Sequence, residues 1–426
     1  MYKKLIFLIF TLLLSMRIFA QLDIETCYEK AMANYPLVRQ YGLIEQALEY
    51  NLSNAGKAWL PQIQLSAKAS YQSDVTKIPI DFSQMPIPQL AEMKIPELSR
   101  DQYGATIDVS QTLWDGGISE AKRNSIKANA DAEKADLEVN LYAVKERVNQ
   151  LFFGILMCDA LLEQNRLFQD ELQQNLDRVS AFTKSGLANQ ADIDAVKVEQ
   201  LKANQQFIQV SHSRKAYISM LEAFIGENLN ENDVLQKPEV GWTHATGISR
   251  PELNFFDRKL LLFDASQNEI KADLMPKFGL FLTGGYGNPG LNMLKDGFSA
   301  YYIGGIRLSW NIGALYSFRN RQNMLISNRN AIAVQRETFL FNTSLNKSQK
   351  ENEVEKFRAI LQSDEEIITL RNAVKRALEV KVTNGTANVT DLMREVIAET
   401  LARQEKTLHE IEMLQAIYNL KFITNN

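Results

Sequence analysis

The residues of this chain best suited to metal binding or nucleophilic chemistry are His212, His244, His409, Cys27 and Cys158. No histidine has a cysteine or a second histidine at ligand spacing, so no metal centre is expected and all three read as solvated surface residues. Ser211-His212-Ser213 holds a hydroxyl and a base, but adjacent helical residues point apart and form no triad. Thr283–Gly290 is glycine-rich yet lacks the lysine of a phosphate-binding loop, so it reads as a strand end and hairpin loop. The run Asp364-Glu365-Glu366 could line a cation-selective constriction, or could form a solvated helix face. No cofactor and no catalytic group are expected.

The elements carrying these residues must therefore hold the function. Lys3 and Lys4 precede the apolar run Leu5–Met16, and Ala20 stands before a cut ahead of Gln21, so 1–20 reads as a secretory signal. Losing it removes Lys3, Lys4 and Arg17 and takes the net charge from −4 to −7, a balance in which nothing points to nucleic acid, and no such partner is expected. Cys27 follows Ile24-Glu25-Thr26, which lacks the small residues of a lipidation site. Two cysteines cannot build a disulfide framework. No later apolar run reaches eighteen residues, so the mature chain is either soluble or crosses a membrane by strands.

The chain is written twice. Trp59-Leu60-Pro61-Gln62-Ile63-Gln64-Leu65 is echoed by Leu274–Leu280 around Pro276, and Lys184–Asp192 around Gly186 is echoed by Thr383–Asp391 around Gly385. The boundaries expected are a first repeat at 21–226, a connector at 227–248 and a second repeat at 249–426. Residues 97–237 and 290–426 contain no proline, which permits very long helices. Leu137, Leu141, Val144, Val148, Leu151, Ile155, Cys158 and Leu162 form a coiled-coil seam. It shifts phase after Asn165 and continues through Phe168, Leu172, Leu176, Val179 and Phe182. A helix over 117–182 would be about 100 Å long at ~1.5 Å per residue. A matching run spans Tyr316 to Val382. Each long helix ends at Gly186 or Gly385, and Asn189 or Thr390 begins a returning helix over 188–226 or 388–424. A further amphipathic helix is expected over 24–57.

Between the helices the period changes to two. Gln62–Tyr71 alternates polar and apolar without fault, as do Tyr103, Ala105, Ile107 and Val109 with their neighbours. Lys277–Tyr286 and Tyr302–Asn311 follow more loosely, with Phe281 out of place. About ten residues suits a tilted transmembrane strand. Trp59, Trp114 and Trp310 sit at the helix-side ends of strands, and Tyr71, Tyr103, Tyr286 and Tyr302 at the loop-side ends. Two aromatic bands fit the two interfaces of a membrane; a soluble sandwich with these rings in its core is the alternative. Four strands cannot close a barrel, so a barrel must be shared between subunits.

This exported, duplicated order of helix, proline, strand, loop, strand, long helix, glycine turn and helix resembles the TolC family of outer-membrane efflux proteins. The residues carrying the resemblance are the junctions at Pro61 and Pro276, the strand exit Leu113-Trp114-Asp115-Gly116-Gly117, the tips Gly186–Asp192 and Gly385–Asp391, and the opening Ile24–Pro36. The resemblance implies a homotrimer in outer-membrane lipid: twelve strands in one β-barrel, and helices forming a periplasmic α-barrel. It further implies a periplasmic adaptor docked at Gly186, Leu187, Asn189, Asp192, Gly385, Thr386, Asn388 and Asp391, and an inner-membrane pump of RND or ABC type. The second strand exit, Asn311-Ile312-Gly313, departs from the first. Where the family closes its tip with aspartates, this chain has Leu370-Arg371-Asn372-Ala373. A type I protein-secretion duct and a soluble periplasmic coiled-coil scaffold are the competing readings.

Overall fold

The structure is a computed structural model that describes residues 22–76, 98–186, 188–229, 235–239 and 247–425. The expected signal segment, most of loop 72–102, Leu187, His244 and much of the 227–248 connector lie outside the described residues. The order is α1 (Ile24–Asn34), a 3-10 turn (Pro36–Arg39), α2 (Gln40–Lys57), β1 (Gln62–Tyr71), β2 (Asp101–Trp114), α3 (Ile118–Lys184) and α4 (Gln190–Ile225). It continues with α5 (Pro251–Ala272), β3 (Lys277–Asn288), β4 (Ser299–Ser309), α6 (Ala314–Thr383) and α7 (Val389–Thr424). The sequence helix, strand, strand, long helix, helix thus occurs twice.

The expected single helix over 24–57 is broken. Asp23 caps α1 through Oδ1, which accepts the Thr26 N–H at 2.7 Å. Pro36 then has no N–H to give and holds Tyr35 extended (φ −62°, ψ 129°), so α1 stops and a 3-10 turn precedes α2.

Two compact units emerge, one made of described residues within Met1–Tyr41, Lys134–Phe255 and Val334–Asn426, the other of Gly42–Glu133 and Phe256–Ala333. The first is helical. Its larger core joins Val148, Phe152 and Ile155 of α3 to Leu221 of α4, Leu414 of α7 and Cys27 of α1. Each large apolar side chain buried this way contributes roughly 1.5–3 kcal/mol. The seam read from the sequence is the buried face of α3, and the phase shift falls at Asn165, which is itself buried. Its amide donates to the Ala203 carbonyl at 2.9 Å and accepts from Gln169 at 2.7 Å, so a polar layer is satisfied where the heptads break. A second core holds Leu172 and Val179 of α3, Val196 of α4, Val382 of α6 and Leu392 and Val396 of α7. Both tips therefore close over one apolar cluster.

The second unit holds an antiparallel sheet in the order β1-β2-β3-β4, with β1 and β4 as its edges. Pro61 and Pro276 each follow a helix end and precede a strand by one residue, as the sequence predicts. The two strand exits differ. After β2, the buried Asp115 accepts the N–H groups of Gly117 (2.9 Å) and Ser119 (2.8 Å), capping α3. After β4, Asn311-Ile312-Gly313 instead forms consecutive tight turns, with Asn311 and Gly313 carbonyls accepting from Ala314 and Tyr316.

Gly116 and Gly117 both have positive φ, at 73° and 86°. A Cβ at Gly116 would lie 2.4 Å from the Met275 Cβ and 3.2 Å from the Pro276 carbonyl, whereas at Gly117 it would meet nothing within 4 Å. Gly117→Ala should therefore cost only the left-handed strain of about 1–2 kcal/mol, and Gly116→Ala clearly more. Thermal unfolding of the two purified variants checks the order; equal losses would contradict it.

Candidate functional site

The sheet turns its apolar face outward. The register puts Leu65 opposite Ile107, Ile63 opposite Val109, Val109 opposite Leu282, and Leu280 opposite Ile306, all on one face. Ile63, Leu65 and Ile306 are 69%, 78% and 75% exposed. Along β2 the expected burial order is inverted: Tyr103, Ala105 and Ile107 are exposed, while Gln102, Gly104, Thr106 and Asp108 are half-buried. A sheet in water would bury the other set. Tyr71, Tyr103 and Tyr286 occupy the loop-side rows of the apolar face, Tyr302 shares the row of Leu65, Ile107 and Gly284, and Trp59, Trp114 and Trp310 stand exposed at the opposite ends of their strands.

The opposite face is polar and internally bonded. Asp108 accepts from the Thr283 hydroxyl at 2.5 Å and from Thr106 at 3.3 Å. Phe281, which breaks the alternation in the sequence, lies on this face, and the Arg307 guanidinium stands 4.7 Å over its ring. No helix among the described residues is long and apolar enough to cross a membrane.

In the helical unit, the tips at Gly186 and Gly385 have φ of 77° and 70°, and a Cβ at either would meet nothing within 4 Å. These glycines supply left-handed backbone, not space. Asn189 accepts the Asp192 N–H at 3.2 Å, while Asp192 accepts the Asn189 N–H at 2.9 Å, a complete capping box. In the second tip the cap is Asn388, which accepts from Asp391 at 2.8 Å, and not Thr390 as expected. Thr386 ties back to the Lys381 carbonyl through both N–H (2.9 Å) and hydroxyl (3.0 Å). The asparagines and aspartates expected to dock a partner are thus largely spent on building the turns.

The three acids expected at a constriction separate. Asp364 is buried and 2.8 Å from His409 Nδ1, which corrects the reading of His409 as solvated and leaves that carboxylate turned onto α7. Glu365 pairs with Lys406, and Glu366 is exposed. His212 is exposed. Among the described residues no group of histidine, cysteine and carboxylate side chains could hold a metal ion.

The sequence reading missed a charge network above the tips. Glu399, almost wholly buried, has Lys375 Nζ 2.5 Å from Oε2, and its Oε1 accepts from Asn372 (3.0 Å) and Arg403 (2.7 Å). Lys375 also reaches Glu171 of α3 at 2.8 Å, and Arg371 reaches Glu395 of α7. Arg371, Lys375 and Glu379 recur at steps of four, as do Glu395, Glu399 and Arg403, which is the signal available in the sequence. Burial pushes the Glu399 carboxyl up, but the bonds from Lys375, Asn372 and Arg403 outweigh it and hold the group down at about 2.

Residues 27–227 match the sequence model of the family described as Outer membrane efflux protein. No curated protein matches the chain. Among solved structures, the outer-membrane channel OprN aligns with a TM-score of 0.69 at 14% identity, covering 94% of this chain and 89% of that one. The outer membrane protein VceC from Vibrio cholerae aligns at 0.62 and 12% identity, covering 94% of each chain. The open state of the Neisseria gonorrhoeae MtrE outer membrane channel aligns at 0.65 and 11%, covering 95% and 89%. The chain has the fold of these channels, and the resemblance to outer-membrane efflux proteins holds.

Because Glu399 is held below its ordinary value near 4.5, its contribution to stability is fully present above that pH and is lost as pH falls toward 2. Helix melting followed by circular dichroism from pH 5.5 to 2 should show a falling limb that Glu399→Gln flattens. An unchanged limb in that variant would remove Glu399 from the acid response.

Proposed function

We propose that this chain is one subunit of an outer-membrane efflux channel of the TolC type, the passive duct of a tripartite export system. The observation that carries the reading is the inverted sheet: apolar side chains exposed on all four strands, and the residues of the opposite face half-buried along the central strands β2 and β3. In lipid that face loses its contact with water, at roughly 25 cal/mol per Å² of apolar surface removed. The match over residues 27–227 and the channel fold point the same way.

The edge strands β1 and β4 carry unpaired backbone groups, which a bilayer does not tolerate. Three copies joined edge to edge give twelve strands and a closed barrel in outer-membrane lipid. The helices of the three subunits form a tunnel in the periplasm. A periplasmic adaptor docks at the tips, and an inner-membrane pump of RND or ABC type supplies the energy. A soluble scaffold would leave the whole apolar face in water, which disfavours that reading.

Three outcomes test this. The full-length protein should require detergent and run as a trimer by mass; a stable monomer in plain buffer would sink the shared barrel. Leu65→Arg should cost about 2–4 kcal/mol and block assembly if the position lies near the midplane, while Gln64→Arg, on the polar face, is tolerated. Gln64 is the better control than Asp108, whose carboxylate is engaged with Thr283. At the tips, Lys184→Glu, Ala191→Glu and Thr390→Glu together change exposed positions outside the caps. Export should fall at least about tenfold, the loss of a single good charged contact, with trimers still reaching the outer membrane. Full export would show that docking lies elsewhere.

A further inference from the structure

The polar face of the sheet has a recess of about 330 Å³ near its loop-side end, lined by residues of β1, β2 and β4 and by Asn288-Pro289. Its floor is bare backbone. At Gly104 an added Cβ would meet nothing within 4 Å, so the place of a side chain is open space. One register row over, the Tyr301 ring lies across Gly285, where a Cβ would come within 2.3 Å of it, and this ring forms a wall. Lys68 stands directly opposite Gly104 on the neighbouring strand. It is the single charged residue lining the recess, and among the described residues no ion pair neutralises it. Ser70, two residues further on the same face, has its Oγ buried with no hydrogen-bond partner. The nearby Gln102 amide is already committed, exchanging hydrogen bonds with Gln72 at 2.9 and 3.1 Å.

We infer that this recess is a binding subsite for a small planar aromatic carboxylate. The Lys68 ammonium supplies the charge, and Ser70, whose buried Oγ is out of a ligand's reach, closes the wall beside it. The bare strip at Gly104 admits a flat ring against the backbone, beside the face or edge of Tyr301. A cation finds no carboxylate here, and a bulky non-planar group cannot lie flat on the floor. The inference rests on the duct reading in one respect: in a closed barrel this face is the lumen, so the ligand is met along the export path. Any cargo carrying such a group would pause there before leaving.

The test is equilibrium binding of 2-naphthoate to the full-length protein in detergent, read by fluorescence anisotropy against empty micelles. Saturable binding is expected. Lys68→Met should weaken it about tenfold or more, the range for losing one charge-assisted hydrogen bond, while Lys68→Arg retains most of it. Gly104→Leu, which fills open space at an ordinary backbone angle, should abolish it in a protein that still runs at wild-type mass. Cyclohexanecarboxylate should compete poorly, having the charge without the flat ring. Unchanged affinity in both Lys68→Met and Gly104→Leu, or equal competition by cyclohexanecarboxylate, overturns the subsite. The mass in detergent separates the two readings. A trimer that does not bind 2-naphthoate overturns the subsite alone, and a monomer that binds it overturns the duct.

Discussion

The open edges of a four-stranded sheet whose apolar face points outward are the constraint on which the rest of this protein depends. An isolated sheet of this kind is stable in neither solvent. Water penalises the apolar face, and lipid penalises the unpaired N–H and C=O groups of β1 and β4. Closure by further copies meets both demands at once. It also explains why the strands stop at ten to fourteen residues while the helices run to 67 and 70. On the proposed reading the strands need only the thickness of a bilayer; the helices are limited by their own turns.

Those turns are built twice with different chemistry under one requirement. A chain reversing between long antiparallel helices needs left-handed backbone at the stop and a side-chain oxygen at the restart. Gly186 with Asn189, and Gly385 with Asn388, supply both. At the strand exits the two copies diverged further. The Asp115-Gly116-Gly117 corner uses a buried carboxylate and two positive φ angles, while Asn311-Ile312-Gly313 spends only backbone bonds in successive turns. The function demands that a strand end and a helix begin there, and leaves the means free.

Much of this was legible in the sequence where one period dominates. Gln62–Tyr71 was read to the residue because ten positions alternate without fault, and the α3 seam because heptad spacing is sustained through its phase shift. The reading failed where local chemistry overrode the pattern. Pro36 cut a helix whose apolar spacing continues past it. β4 begins at Ser299 and ends at Ser309, displaced from 302–311, because backbone pairing with β3 extends into residues lacking alternation. The cap fell to Asn388 because its side chain reaches the Asp391 N–H two positions earlier than Thr390 could start the helix. His409 and Asp364 lie 45 positions apart, and no one-dimensional period brings them together.

The helical unit poses a question of register, and its charges answer it differently from its apolar seams. Leucine and valine layers pack nearly as well after a slip of one heptad, so they bind helices without fixing their alignment. A buried carboxylate does fix it. Glu399 is held by three donors, and one of these, Lys375, is shared with Glu171 on a different helix. Displacing α6 by one turn along α7 would take Lys375 and Asn372 from Glu399 and leave it only Arg403 of its own helix. Removing one partner of a buried pair costs about 3–5 kcal/mol, more than a seam position loses on repacking. The buried Asn165 and Asn149 repeat the same logic along α3, bonded to Ala203 of α4 and to Tyr28 of α1. The polar residues inside the bundle therefore specify how far each hairpin runs along its neighbour, and so bring both turns to the same apolar cluster.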